Sequence, residues 1–293
     1  MTATTELELR RTFIAMLFAL VAATVAQQIS ELLFVITGGW SSASSPSAII
    51  ENLCSEKGAL FATLAHATLA LLLVSMSWVM WSKSQAGGLK KDISSVFSKG
   101  FVILLIEVFL VVLYFAIVKT MEQNFQEYSA KKTISSYVGV ISARPEAFQL
   151  MWVFAVYLIW DFIADVVTSP RRDTQDREIS SDIFSYVTGA IAYCFVSGVC
   201  CLGAWLVSHV SAPIASPSEA VLGDIALICI LFFFVLAKQL EYYTTKLFPR
   251  EATRNNTKRE TPPSINACIG MIVLACIYTY IVMVLSWPPS FLR

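Results

Sequence analysis

The sequence predicts an all-α integral membrane protein: a polytopic bundle of about seven transmembrane helices, with the N-terminus cytoplasmic and the C-terminus outside. Three observations predict it. First, 56% of the 293 residues are hydrophobic and only 14% are charged, with a mean hydropathy of +0.66, whereas a soluble domain carries roughly 25% charged residues. Second, the apolar residues are gathered into runs near the length, about 20 residues, that a helix needs to cross a bilayer. Third, the basic residues between the runs concentrate in alternate loops, as the cytoplasmic side of a membrane protein requires.

The runs are 12–37, 59–81, 101–118, 148–168, 183–210, 220–237 and 265–287. The first follows Arg10 and Arg11 and stops at Gly38-Gly39. Its Ala15, Ala19, Ala23, Gln27 and Glu31 recur every four residues, a small-residue stripe of the kind that lets helices approach closely. It also carries Ala23-Thr24-Val25-Ala26, which resembles a secretory cleavage site. Cleavage there leaves six helices with the same loop orientation, but the apolar run continues through 29–35 and the −3 position is poor, so an uncleaved first helix is the favoured reading. The second run has a similar stripe at Ala62, His66 and Ala70. The third, as short as the sixth, holds Glu107. The fourth ends at Pro170 after Asp161 and Asp165. The fifth is rich in small residues (Ser185, Gly189, Ala190, Cys194, Ser197, Gly198, Cys201) and is expected at the centre. The sixth lies beyond Pro213 and Pro217, starts with Asp224 and runs into Lys238. The seventh lies between Pro262-Pro263 and Pro288-Pro289, and prolines punctuate helices in this way. The connection 119–147 contains a semi-apolar piece, 134–141, read as a short interfacial segment.

Orientation follows from the cations. Arg10, Arg11, Lys83, Lys90, Lys91, Lys99, Arg171, Arg172, Arg177, Lys238, Lys246, Arg250, Arg254, Lys258 and Arg259 fall on one side, which is 15 of the 21 lysines and arginines. That side is the cytoplasm. The gaps are too short for a soluble domain, so residues 1–293 form a single transmembrane domain.

A charge in mid-membrane costs roughly 3 kcal/mol on insertion scales, so each one calls for a partner or a function. Glu107 sits in an apolar run with no cation near it in sequence. It reads either as a proton- or cation-binding carboxylate or as a hydrogen-bonded structural glutamate. Asp161 and Asp165 are four apart and share a helix face. They read as a solvated helix end, as a cation vestibule, or as a magnesium site for a pyrophosphate. Against the last, Tyr157 precedes them where such sites carry Asn, and no second DxxxD lies in another helix. Glu31 and His66 both lie toward the outer end, so their two stripes can pack and pair them, either structurally or as a proton-titrating gate. Lys238 is the candidate charge partner for Asp161, Asp165 or Glu107, with snorkelling to the interface as the alternative.

Several classes are excluded. Two histidines, His66 and His209, cannot make a three-histidine metal site. No HExxH, GxSxG, P-loop or GxGxxG occurs, and the seventh run has no lysine for a retinal Schiff base. No catalytic residue, metal or cofactor is predicted. Zero net charge argues against nucleic acid as a partner. Six of the seven cysteines lie in apolar runs, all but Cys54, and read as small buried hydrophobes. The expected partners are the lipid bilayer and, from the small-residue stripes, a second copy or another membrane protein. The leading functional expectation is a small transporter or channel of the plasma (inner) membrane that uses intramembrane carboxylates. The alternatives are a non-catalytic membrane subunit, anchor or effector and, third, a magnesium-dependent lipid-pyrophosphate transferase.

Overall fold

The computed structural model describes residues 3–38, 46–54, 58–86, 98–120, 124–138, 141–163 and 179–247, and every element among them is a helix. α1 (Ala3–Ile36) stops where Gly38 takes φ +68, a left-handed conformation that glycine adopts without a Cβ clash. Its last carbonyls need partners. Asn52 of the short α2 (Pro46–Cys54) donates its side-chain amide to the Ile36 carbonyl at 2.8 Å. α3 (Ala59–Ala86) and α4 (Lys99–Thr120) are the next two long helices. Two short helices, α5 (Phe125–Lys131) and α6 (Ile134–Tyr137), fold the following connection. Asn124 caps α5 by accepting from the Glu127 amide, and Lys132 closes it at φ 56. The buried rings of Tyr128 and Tyr137 meet edge-on. The expected interfacial segment 134–141 is thus partly helical and anchored by Tyr137. α7 (Arg144–Asp161) begins with Pro145 in its first turn, where the missing N–H costs nothing. α8 (Ile179–Val210) and α9 (Pro217–Leu247) complete the described chain.

The six long helices close a ring in the order α1, α3, α9, α8, α7, α4. Its interior is filled by Leu69 and Leu73 of α3, Tyr114 and Ile117 of α4, Leu150 and Phe154 of α7, and Leu227 and Phe234 of α9, all fully buried. The outer surface is also apolar. Met16 and Leu20, Phe61 and Leu71, Leu105 and Phe109, Trp152 and Ile159, Leu202 and Trp205, and Phe232 and Leu236 all point outward. Bulky apolar side chains around the whole circumference suit lipid rather than water, since soluble monomers rarely expose contiguous apolar patches beyond a few hundred Å². Four described helices, α1, α3, α4 and α9, are long and apolar enough to cross a membrane, and 194–210 of α8 forms a shorter apolar helix. The described residues are therefore those of an all-helical, multi-pass membrane protein. The run 265–287 lies outside the described residues.

Two expectations about packing faces change. The stripe from Ala15 to Glu31 is not the packed face of α1. Ile14, Phe18, Val21, Val25, Leu32 and Val35 are buried, whereas Ala19, Ala23 and Gln27 are exposed. Larger side chains make more close contacts, and dispersion sums over contacts. Phe18 alone touches the rings of Trp78, Trp81 and Tyr114. α8 is not central either. It packs on α7 and α9 and turns Phe195, Leu202 and Trp205 outward. Against α7, a Cβ on Gly198 would meet the Leu158 side chain at 3.9 Å, an ordinary van der Waals contact.

A closer approach occurs at Gly223 of α9. A Cβ there would lie 2.5 Å from the Ala143 Cβ, so α9 can pass the start of α7 only because position 223 has no side chain. The neighbouring segments are tied as well. Ser142 Oγ donates to the Ala212 carbonyl at 2.6 Å, and the Ala215 amide donates to the Ile141 carbonyl at 3.1 Å. Gly223→Ala is expected to destabilise the protein by about 1–3 kcal/mol through overpacking, measured as a fall in the unfolding midpoint in detergent.

Candidate functional site

Alternating helix directions bring polar side chains from distant parts of the chain to the two ends of the ring. At one end Arg10 of α1 reaches Glu107 of α4 with Nη2 to Oε2 at 2.7 Å, both side chains 6% exposed. The guanidinium supplies the cation that Glu107 lacks in its own sequence neighbourhood. Sequence reading placed Arg10 only as a topology signal. Toward the same end, Lys238 of α9 donates to Asp161 Oδ2 at 2.8 Å, and Ser197 of α8 donates to the same oxygen at 2.5 Å. Asp161 is thus held by α8 and α9 together, and Lys238 pairs inward. Asp165 lies outside the described residues. Tyr157, one turn before Asp161, shares a hydrogen bond with Tyr114 of α4, the hydroxyls 2.7 Å apart. Removing that bond by Tyr114→Phe is expected to cost about 1 kcal/mol, read as a small fall in thermal midpoint with the fold intact.

At the other end lies a different arrangement. His66 of α3 sits between Glu146 in the first turn of α7 and Asp224 of α9. Its Nδ1 is 3.5 Å from Glu146 Oε1 and 3.7 Å from Asp224 Oδ1, and its Nε2 is 3.1 Å from Thr120 Oγ1 of α4. Four helices therefore converge on one imidazole. His66, Glu146 and Asp224 are all buried. Among the described residues no donor lies within hydrogen-bond distance of Glu146 Oε2 or Asp224 Oδ1, although His66 Nδ1 stands 3.7 Å from the latter, and a poorly satisfied buried acceptor costs roughly 1–3 kcal/mol, more when charged. Gly223, adjacent to Asp224, permits this convergence.

The proposed pairing of Glu31 with His66 is replaced by this cluster. Glu31 instead accepts from Gln27 Nε2 at 3.0 Å within α1. The reason is the rotation of α1 noted above: the stripe carrying Gln27 and Glu31 is turned away from the packed face. Glu146 was missed because it precedes the apolar run by two residues and reads as loop. Asp224 gave a signal, an acidic residue one turn into an apolar run.

The three clusters differ electrostatically. Arg10–Glu107 and Lys238–Asp161 each pair one cation with one anion. The His66 cluster sets two carboxylates against one imidazole, so even a fully charged imidazolium leaves one negative charge in excess. Among the described residues no three His, Cys, Asp or Glu side chains are arranged to hold a metal ion. Among the described cysteines, Cys54, Cys200, Cys201 and Cys229 are free thiols. Comparison of the chain with protein-family models, with curated proteins and with solved structures finds no match.

Proposed function

We propose that this protein is a small transporter or channel of the plasma membrane, moving an ion or small solute, and that it binds its ion at His66, Glu146 and Asp224. The observation that supports this reading is the excess of buried carboxylate, Glu146 and Asp224, around the one imidazole of His66. A site of this kind is costly in a membrane and gains most from an incoming positive charge. With the N-terminus cytoplasmic, as the basic loops indicate, the His66 cluster faces outside and the Arg10–Glu107 and Lys238–Asp161 pairs face the cytoplasm. Glu107 and Asp161 then act as helix clasps rather than as the ion site. A magnesium ion for a lipid pyrophosphate would have to displace Lys238 from Asp161, which weighs against the transferase reading. An uncleaved α1 fits better than a signal peptide, because cleavage after Ala26 removes Arg10 from Glu107.

The test is flux in proteoliposomes, followed with a pH-sensitive dye for protons and with labelled sodium. Glu146→Gln and Asp224→Asn are expected to lower flux by about tenfold, the effect of roughly 1.4 kcal/mol. Wild-type flux no higher than in empty liposomes overturns the reading.

A second reading is favoured by the neutral clasps. Carboxylates tied up in helix contacts, together with the outward face of α1 at Ala19, Ala23 and Gln27, suit a membrane subunit or anchor that acts through a protein partner. Purification in mild detergent then recovers a stable partner or homo-oligomer, and a solitary monomer with flux counts against it.

A further inference from the structure

The hydrogen bonds around His66 say which ion the cluster takes. Thr120 Oγ1 lies 2.6 Å from the Ile117 carbonyl, which can only accept. With the hydroxyl proton directed to that carbonyl, the Thr120 oxygen accepts from His66 Nε2, 3.1 Å away, and Nε2 is the protonated ring nitrogen. The opposite ring nitrogen, Nδ1, faces carboxylate oxygens at 3.5 and 3.7 Å. A bare Nδ1 would turn its lone pair toward two anions, so a first proton lies on Nδ1 or on a carboxyl oxygen facing it. With that proton the trio still carries one negative charge. Its side chains are no more than 9% exposed, and burying an uncompensated charge is strongly unfavourable. A second proton, on a carboxyl oxygen of Glu146 or Asp224, brings the trio to neutrality.

We propose that the ion bound here is a proton. The trio holds two protons at rest, the first fixed between imidazole and carboxylates and the second exchangeable. The exchange step is simple: one carboxylate oxygen takes a proton from hydronium to give a carboxylic acid and water, and release reverses it. This deepens the ion-site reading above and rests on it.

The surroundings support one-sided exchange. Counting at about 1.5 Å per residue, His66 lies roughly 10 Å from the start of α3 and Asp224 roughly 10 Å from the start of α9. Toward the far end the way is filled by Leu73, Leu150, Phe154, Leu227 and Phe234, all fully buried. Among the described residues, the other ionisable side chains near this end turn away from the trio or are engaged elsewhere. Arg144 of α7, Glu219 of α9 and Glu51 of α2 are exposed; Lys119 of α4 is exposed and lies over the Phe115 ring; Glu31 of α1 accepts from Gln27.

The test is infrared spectroscopy of the full chain in phosphatidylcholine nanodiscs, as difference spectra across pH. A carboxylic-acid carbonyl band is expected that shifts in heavy water, disappears as pH rises, and is lost in the Glu146→Gln/Asp224→Asn double variant. Sodium chloride is expected to leave it unchanged. Far-ultraviolet circular dichroism shows whether the double variant has folded. If it has not, the single variants Glu146→Gln and Asp224→Asn take its place, and a band unchanged in both overturns the proposal. No such band in the wild type, or a band removed by sodium at constant pH, overturns the proposal. The two readings fail separately. A titrating band without flux removes transport and keeps the proton site, whereas sodium flux without the band keeps transport and removes the proton.

Discussion

Replacing Arg10 with methionine destabilises the protein by about 3–5 kcal/mol, the cost of removing one member of a buried ion pair. Both side chains are 6% exposed and 2.7 Å apart, so water screens the pair little. The variant leaves the Glu107 carboxylate in a site built around a guanidinium, where its desolvation is no longer offset. The double variant Arg10→Met/Glu107→Leu tests this cause. Replacing a buried pair by apolar groups of similar size is often neutral, and in a membrane the leucine needs no partner. The double variant should therefore recover most of the midpoint lost by the single one, in thermal unfolding or mild denaturing-detergent titration. Equal midpoints for wild type and Arg10→Met would show that the pair contributes nothing. A double variant as unstable as the single would place the loss in the packing of the arginine stem instead.

The partners in that pair are 97 residues apart, and this separation explains what the sequence could and could not convey. The long apolar helices α1, α3, α4 and α9 were legible because an apolar run must match a bilayer and because Gly38 and Pro217 mark ends by backbone chemistry alone. Which polar residues mattered was legible too, since polarity inside a membrane is expensive wherever it points. Pairing was not, because it depends on helix rotation. α1 shows this: both its small stripe and its bulky stripe have helical periodicity, and only the neighbouring Trp78, Trp81 and Tyr114 rings decide that Phe18 faces inward and Glu31 does not. The His66 cluster needed a further step. The charged first turn of α7 follows a segment tied to the α8–α9 connection by the Ser142 hydroxyl and by the Ile141 carbonyl, and no hydropathy pattern marks such a tie.

Lys238→Met has the second large effect, and it separates two kinds of buried charge in one molecule. Asp161 is buried and shares one oxygen between Lys238 and Ser197. Loss of the ammonium leaves a carboxylate facing a single hydroxyl donor, with an expected cost of about 3 kcal/mol. Asp161→Asn in the same chain removes the charge and keeps an oxygen that can accept from Ser197, so Asp161→Asn/Lys238→Met should regain most of the loss. Measured stabilities of the four proteins give the coupling energy directly. A coupling well above 1 kcal/mol marks the pair as a clasp joining α7, α8 and α9. A coupling near zero marks Lys238 as an interface lysine whose contact with Asp161 contributes no stability. Flux gives a separate criterion. Under the assignment of the ion site to the His66 end, the double variant retains transport while Glu146→Gln loses it. Loss of flux in a stable Asp161→Asn/Lys238→Met protein would move the ion path to this end of the bundle and make Tyr157 and Tyr114, hydrogen-bonded one turn away, the next residues to change.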